Sequence, residues 1–165
     1  MATYRLISSV TVGSSGAVSM DFIDIPQTYT DLEILVSGRT TGSGNGINIT
    51  FNGNGANYTS AAMQGNGSTV SSYGTYNRNA GMFAYSGDTA NNFGSTKIYI
   101  PNYTRSINKA YSAEGLSESN STTAYMNMVN GLWSNTSAIS SITLVPMDGT
   151  LIQNSTAYLY GISNA

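Results

Sequence analysis

"FGSTKIYIPNY", residues 93 to 103, alternates with a period of two: Thr96, Ile98 and Ile100 point one way, Ser95, Lys97 and Tyr99 the other. Such alternation is the mark of a half-buried β-strand. Pro101 ends it, because proline has no N–H to give to a central ladder. The pattern recurs along the chain. Tyr4, Leu6, Val10 and Val12 share one face of a first strand, with Ser8 breaking the run. Val18, Met20 and Phe22 alternate in a second, Leu32, Ile34 and Val36 in a third, and Ile47, Ile49 and Phe51 in a fourth. Further strands are predicted near 57–64, 69–76, 81–86, 107–114, 123–129, 139–146 and 155–162. No segment keeps a helical period.

Turn signals separate these runs. Asn-Gly occurs at 45–46, 52–53, 54–55, 66–67 and 130–131, and Asp-Gly at 148–149. Both pairs tolerate the positive φ that tight hairpins require. Short strands with frequent turns predict an all-β chain, a jelly-roll-like antiparallel β-sandwich. Composition is even from end to end, with no linker and no internal repeat, so residues 1–165 are expected to form a single domain. The chain's ends are expected to be strands held in the sheets.

Charged residues make up 8% of the chain, against roughly 25% in an average soluble protein. Ser (24), Thr (19), Asn (18) and Gly (18) supply 79 of the 165 residues. Hydroxyls and amides therefore cover the surface. With little charge repulsion to keep copies apart, such a surface suits packing against neighbours. The net charge is −2, and Arg5, Arg39, Arg78 and Arg105 are scattered, so nucleic acid is not an expected partner. No apolar run approaches the ~20 residues that span a bilayer. The opening "MATYRLISSV" does not read as a signal peptide.

Cysteine and histidine are both absent. Thiol chemistry is thereby excluded, as are the commonest general base and the commonest metal ligand. A serine–lysine nucleophile would need Lys97 or Lys109, and no supporting motif accompanies either. Among the carboxylates, Asp31 and Glu33 share one face of the third strand, and Glu114 sits among polar neighbours. Same-face carboxylates at a strand start read as a solvated edge. "MDFID" (20–24) and "SGDTANN" (86–92) read as turn-capping segments, not calcium loops. No phosphate-binding loop occurs. Neither a cofactor nor a metal is expected.

The stretch "SSYGTYNRNAGMFAYSG" (71–87) interleaves aromatic residues with glycine. Tyr73, Tyr76, Phe83 and Tyr85, with Arg78, are candidates for contact with a neighbouring subunit or a sugar, and buried between sheets they would be ordinary core; core or inter-subunit packing is favoured over ligand binding.

Three blocks carry a resemblance. "DFIDIPQTYTDLEILVSGRT" (21–40), "FGSTKIYIPNY" (93–103) and "GLWSNTSAISSITLVPMDGTLIQNSTAYLYGI" (131–162) resemble, in this order, segments of small β-rich virion proteins of marine and cyanobacterial bacteriophages. The resemblance implies a structural virion component and carries no catalytic motif. Such proteins include capsid decoration or cement proteins and the domains of head or tail fibres. The short chain has no fibrous stem, which favours a decoration or cement protein on the outer capsid surface. Its expected partners are itself, as a homotrimer, and the major capsid protein. The alternative is a receptor- or carbohydrate-binding module of a head or tail fibre, with other virion proteins or a host surface glycan as partner. An enzyme such as a glycan depolymerase is the least favoured reading.

Overall fold

The computed structural model describes residues 3–75, 77–120 and 123–163. Its elements are β1 (Thr3–Thr11), β2 (Met20–Phe22), β3 (Asp31–Gly38), β4 (Gly46–Phe51), β5 (Tyr58–Gly65) and β6 (Val70–Thr75). They continue as β7 (Asn79–Met82), β8 (Gly94–Ile100), β9 (Lys109–Ser117), β10 (Tyr125–Trp133), β11 (Ile142–Pro146) and β12 (Thr156–Ser163). An eight-stranded sheet runs β1-β12-β3-β8-β9-β10-β5-β6, and a four-stranded sheet runs β2-β11-β4-β7. All the ladders in both sheets are antiparallel.

The strand order identifies the architecture. Without β5, β6, β9 and β10, the eight remaining strands renumber in chain order as 1-8-3-6 in one sheet and 2-7-4-5 in the other. That is the order of a jelly roll. The other four strands form two insertions, β5–β6 between β4 and β7 and β9–β10 between β8 and β11. Together they continue the large sheet beyond β8 as β9-β10-β5-β6. Half of the large sheet is therefore jelly roll and half is extension.

Alternation fixes which face is buried. Leu32, Ile34 and Val36 of β3, Ile98 and Ile100 of β8, and Ala157 and Leu159 of β12 point into the sandwich. They meet Ile47, Ile49 and Phe51 of β4 and Ile142 and Leu144 of β11 in one continuous core. At β7 the two layers come unusually close. A side chain at Gly94 would lie 2.5 Å from the Ala84 backbone nitrogen, and one at Gly115 would lie 2.7 Å from that of Met82. Only glycine admits so near an approach of one backbone to another. The extension is anchored at one end by aromatic packing. Phe51 sits edge-on to Tyr111 and Trp133, and Tyr58 stacks on Trp133 with ring centroids 6.1 Å apart.

Several local expectations change. A β-bulge between Leu6 and Ser8 breaks the first strand's register. Tyr4 and Leu6 consequently face outward, while Val10 and Val12 belong to the core side. An inserted residue inverts the face of all that precedes it. The strand expected at 81–86 lies at Asn79–Met82. The Asn52-Gly53 turn has positive φ at both residues, as its sequence predicts. Asn130-Gly131, in contrast, lies inside β10. There the bare glycine makes room for the Tyr111 ring.

Candidate functional site: the outer face of the large sheet

The second face of the eight-stranded sheet has no layer against it among the described residues. Its register can be read row by row. One row carries Tyr158, Leu35, Lys97, Glu114, Met128 and Met63, from β12 to β5. The next carries Tyr160, Glu33, Tyr99, Ser112, Asn130 and Ala61. On the other side of the first row lie Ser37, Ser95, Leu116, Met126, Gly65 and Val70. Tyr4 and Leu6 continue the face onto β1.

This surface is unusual for an exposed one. Leu116 is 47% exposed, Met126 62%, Met128 52% and Met63 50%. Of the exposed large hydrophobic residues among those described, the majority lie here, and Tyr4, Leu6, Leu35, Val70 and Tyr158 complete the set. A cluster of exposed apolar side chains such as Leu116, Met126, Met128 and Met63 marks an interaction site more often than a solvated face. Methionine adds adaptability, since its unbranched side chain can fill irregular gaps in a partner. A shallow depression of about 750 Å³ lies over Leu116, Met126 and Met128 and is walled by Tyr125, Glu118 and Ala124.

A charged cluster occupies the middle. Lys97 Nζ lies 3.0 Å from Glu33 Oε2 and, by register, directly across the strand pair from Glu114. Glu33, hydrogen-bonded to this ammonium, holds it above the ordinary lysine value. Tyr99 donates its hydroxyl to Asp31 Oδ2 at 2.9 Å, and the Asn102 N–H donates to Asp31 Oδ1 at 2.8 Å. Burial, reinforced by that bond to Asp31, pushes the Tyr99 phenol up to about 12. Asp31 and Glu33 were expected at a solvated edge. They are instead buried, because β3 is the third strand of eight and its outward side chains are shielded by β12 and β8. The cluster can therefore recognise charge and hydrogen-bonding groups across an interface, with its carboxylates already held by Lys97, Tyr99 and a backbone N–H.

The aromatic candidates of 71–87 are not brought together. Phe83 is fully buried, its ring packed where a side chain on Gly38 would otherwise be, so it cannot touch a ligand. Tyr73 is 40% exposed on the edge strand β6, on the side of the sheet opposite to the methionines. Arg78 donates Nη1 to Thr50 Oγ1 at 2.6 Å. Tyr85 packs its ring beside Gly87, and its N–H donates to Asp88 Oδ2 at 3.0 Å. Tyr76 lies outside the described residues. A stretch that crosses from β6 to β7 passes from one sheet to the other, and that crossing scatters its side chains.

Two buried cations outside this face are structural. Arg39 is buried and donates to the carbonyl oxygens of Thr89 (2.8 Å), Asn92 (3.0 Å) and Asp88 (2.9 Å), pinning the 86–93 loop onto the jelly roll. Lys109 is also buried and donates to the carbonyls of Arg105 (2.7 Å) and Ile107 (2.6 Å); burial lowers its pKa. Its place on the inner face of β9 leaves it no role as an external base.

The fold and this face together define a jelly-roll β-sandwich with a widened sheet and one broad, partly apolar outer surface. No family model matches the chain, and no curated protein or solved structure is detectably similar to it.

Proposed function

We propose that this chain is a structural, non-catalytic protein that works by docking the outer face of its large sheet onto other protein subunits. The single observation behind this reading is the cluster of exposed Leu116, Met126, Met128 and Met63, spread over two adjacent rows of a face with no covering layer among the described residues. An exposed apolar sheet is an aggregation hazard unless a partner covers it. Low surface charge supports the same reading, since it permits dense packing against neighbours.

The phage-virion resemblance of residues 21–40, 93–103 and 131–162 supplies the setting: a decoration or cement protein on the outside of a capsid, in contact with the major capsid protein. Binding many copies to an assembled shell would stabilise the particle by mass action. Immunogold labelling of phage particles with an antibody against this protein tests the setting. Labelled heads are expected; label confined to tail tips would move the protein to a fibre, and unlabelled particles would remove it from the virion.

A further inference from the structure

We infer that the outer face of the large sheet packs against the same face of a second copy, about a two-fold axis running close to the strand direction between β8 and β9. This rests on the reading of that face as the docking face, and it names the occupant and the register.

The sheet's own layout carries the inference. Four jelly-roll strands, β1-β12-β3-β8, lie on one side of this line and four extension strands, β9-β10-β5-β6, on the other. A two-fold axis in the interface plane lays each jelly-roll half over the extension of the second copy. It also keeps each residue in its own row, so opposing partners follow from the register. Lys97 meets the second copy's Glu114, and Glu114 meets the second copy's Lys97. One strand further out, Leu35 faces Met128, and beyond that Tyr158 faces Met63. In the neighbouring row Glu33 faces the side-chain amide of Asn130, Tyr99 faces Ser112, and the large Tyr160 faces the small Ala61. In these two rows charge meets opposite charge, apolar meets apolar and bulk meets a gap, while in the third Leu116 and Met126 lie over the small Ser95 and Ser37. Such self-complementarity is what a two-fold interface requires.

Face-to-face sheets cross at roughly 30°, which would set the axis about 15° off the strand direction. The match is therefore closest near the axis, where Lys97, Glu114, Leu35 and Met128 sit. The area is adequate. Eight strands at ~4.8 Å and about seven residues at ~3.4 Å give a plane on the order of 900 Å² per copy, against ~800 Å² per partner in a standard interface. Four glutamates surround two lysines on the axis, so the charge pairs set the register while the apolar flanks supply the affinity.

Light scattering on the eluting protein, over a range of concentrations, tests this. A mass of twice 17.3 kDa is expected. Lys97→Glu and Glu114→Lys should each weaken the dimer by roughly tenfold or more, because each creates two like-charge contacts. The double variant Lys97→Glu/Glu114→Lys should regain the mass of the unaltered protein. Thermal melting of each variant separates a lost dimer from a lost fold, and Met128→Glu provides a second disruption that the charge swap cannot rescue. A monomer at all concentrations, a trimer, or a dimer indifferent to all these changes would overturn the inference. A monomer whose Met126 and Met128 are nevertheless shielded on an assembled particle would overturn the second copy alone and leave the docking reading standing.

Discussion

The two halves of the large sheet are built from the same kind of strand but held in different ways. On the jelly-roll half the inner residues are large and aliphatic: Leu32, Ile34, Val36, Ile98 and Leu159 are fully or almost fully buried beneath the second sheet. On the extension half the inner residues are mostly small or polar, with Ser60, Ala62, Ala113, Gly115, Asn127 and Val129 in their place. The extension's large anchors, Tyr58, Tyr111 and Trp133, are gathered at one end. On the outer face the contrast reverses, and the exposed methionines belong to the extension. A strand is thus stabilised by whichever face finds a partner. The jelly roll finds its partner inside the molecule, and the extension keeps much of its apolar surface for outside.

The largest expected effect breaks the extension's anchor. Trp133→Ala removes the fully buried ring that Phe51 and Tyr58 pack against, and should cost about 3–5 kcal/mol in denaturant unfolding. Amide exchange should rise in β5 and β10 first, while β12 stays protected; equal loosening of both halves would erase the distinction drawn here. Arg39→Ala acts on the jelly-roll half. It leaves three carbonyls of the 86–93 loop without their donor and should cost about 3 kcal/mol.

Gly131→Ala drives a methyl group into the Tyr111 ring and should destabilise by about 1–3 kcal/mol, most of it local to the extension. Tyr58 provides a pH test of the same end. Burial pushes its phenol up to about 12. A raised acid favours the folded state below its ordinary pKa near 10 and loses that contribution as pH climbs toward 12. Midpoints of thermal unfolding should therefore fall above pH 10, and less steeply in Tyr58→Phe. That variant also gives up the bond from the Phe51 N–H, worth about 1 kcal/mol at neutral pH. The smallest effect belongs to Lys97→Met in the isolated chain, about 1 kcal/mol, because the Lys97 ammonium is half open to water although its partner Glu33 is buried. A small effect on the fold beside a large effect on association would mark Lys97 as an interface residue.

The jelly-roll half was the more legible in the sequence. Strands such as β3 and β8 bury one face completely, so their alternation is clean, and "FGSTKIYIPNY" alone separates the core residues Ile98 and Ile100 from the outward Lys97 and Tyr99. The extension was harder to read. Met126 and Met128 are apolar on the open face and Asn127 is polar on the closed one, so hydrophobicity reverses the true sense of β10. The bulge near Ile7 reverses part of β1 in the same way, and Ser8, out of step with the apolar run, is its only trace in the sequence. The charged cluster was half visible: Asp31 and Glu33 share a face in sequence, but their meeting with Lys97 and Tyr99 depends on β3 pairing with β8 across more than sixty residues. The aromatic stretch 71–87 misled because a linear run of tyrosines is divided between two sheets.

The most direct test of the outer face is methionine oxidation by peroxide, read by mass spectrometry at dilute and at high protein concentration. Met147 is as exposed as Met128 but lies beside β4, away from this face, and serves as the internal standard. Docking through this face predicts that Met63, Met126 and Met128 become protected at high concentration while Met147 oxidises at an unchanged rate. Equal oxidation of all four at every concentration would contradict it.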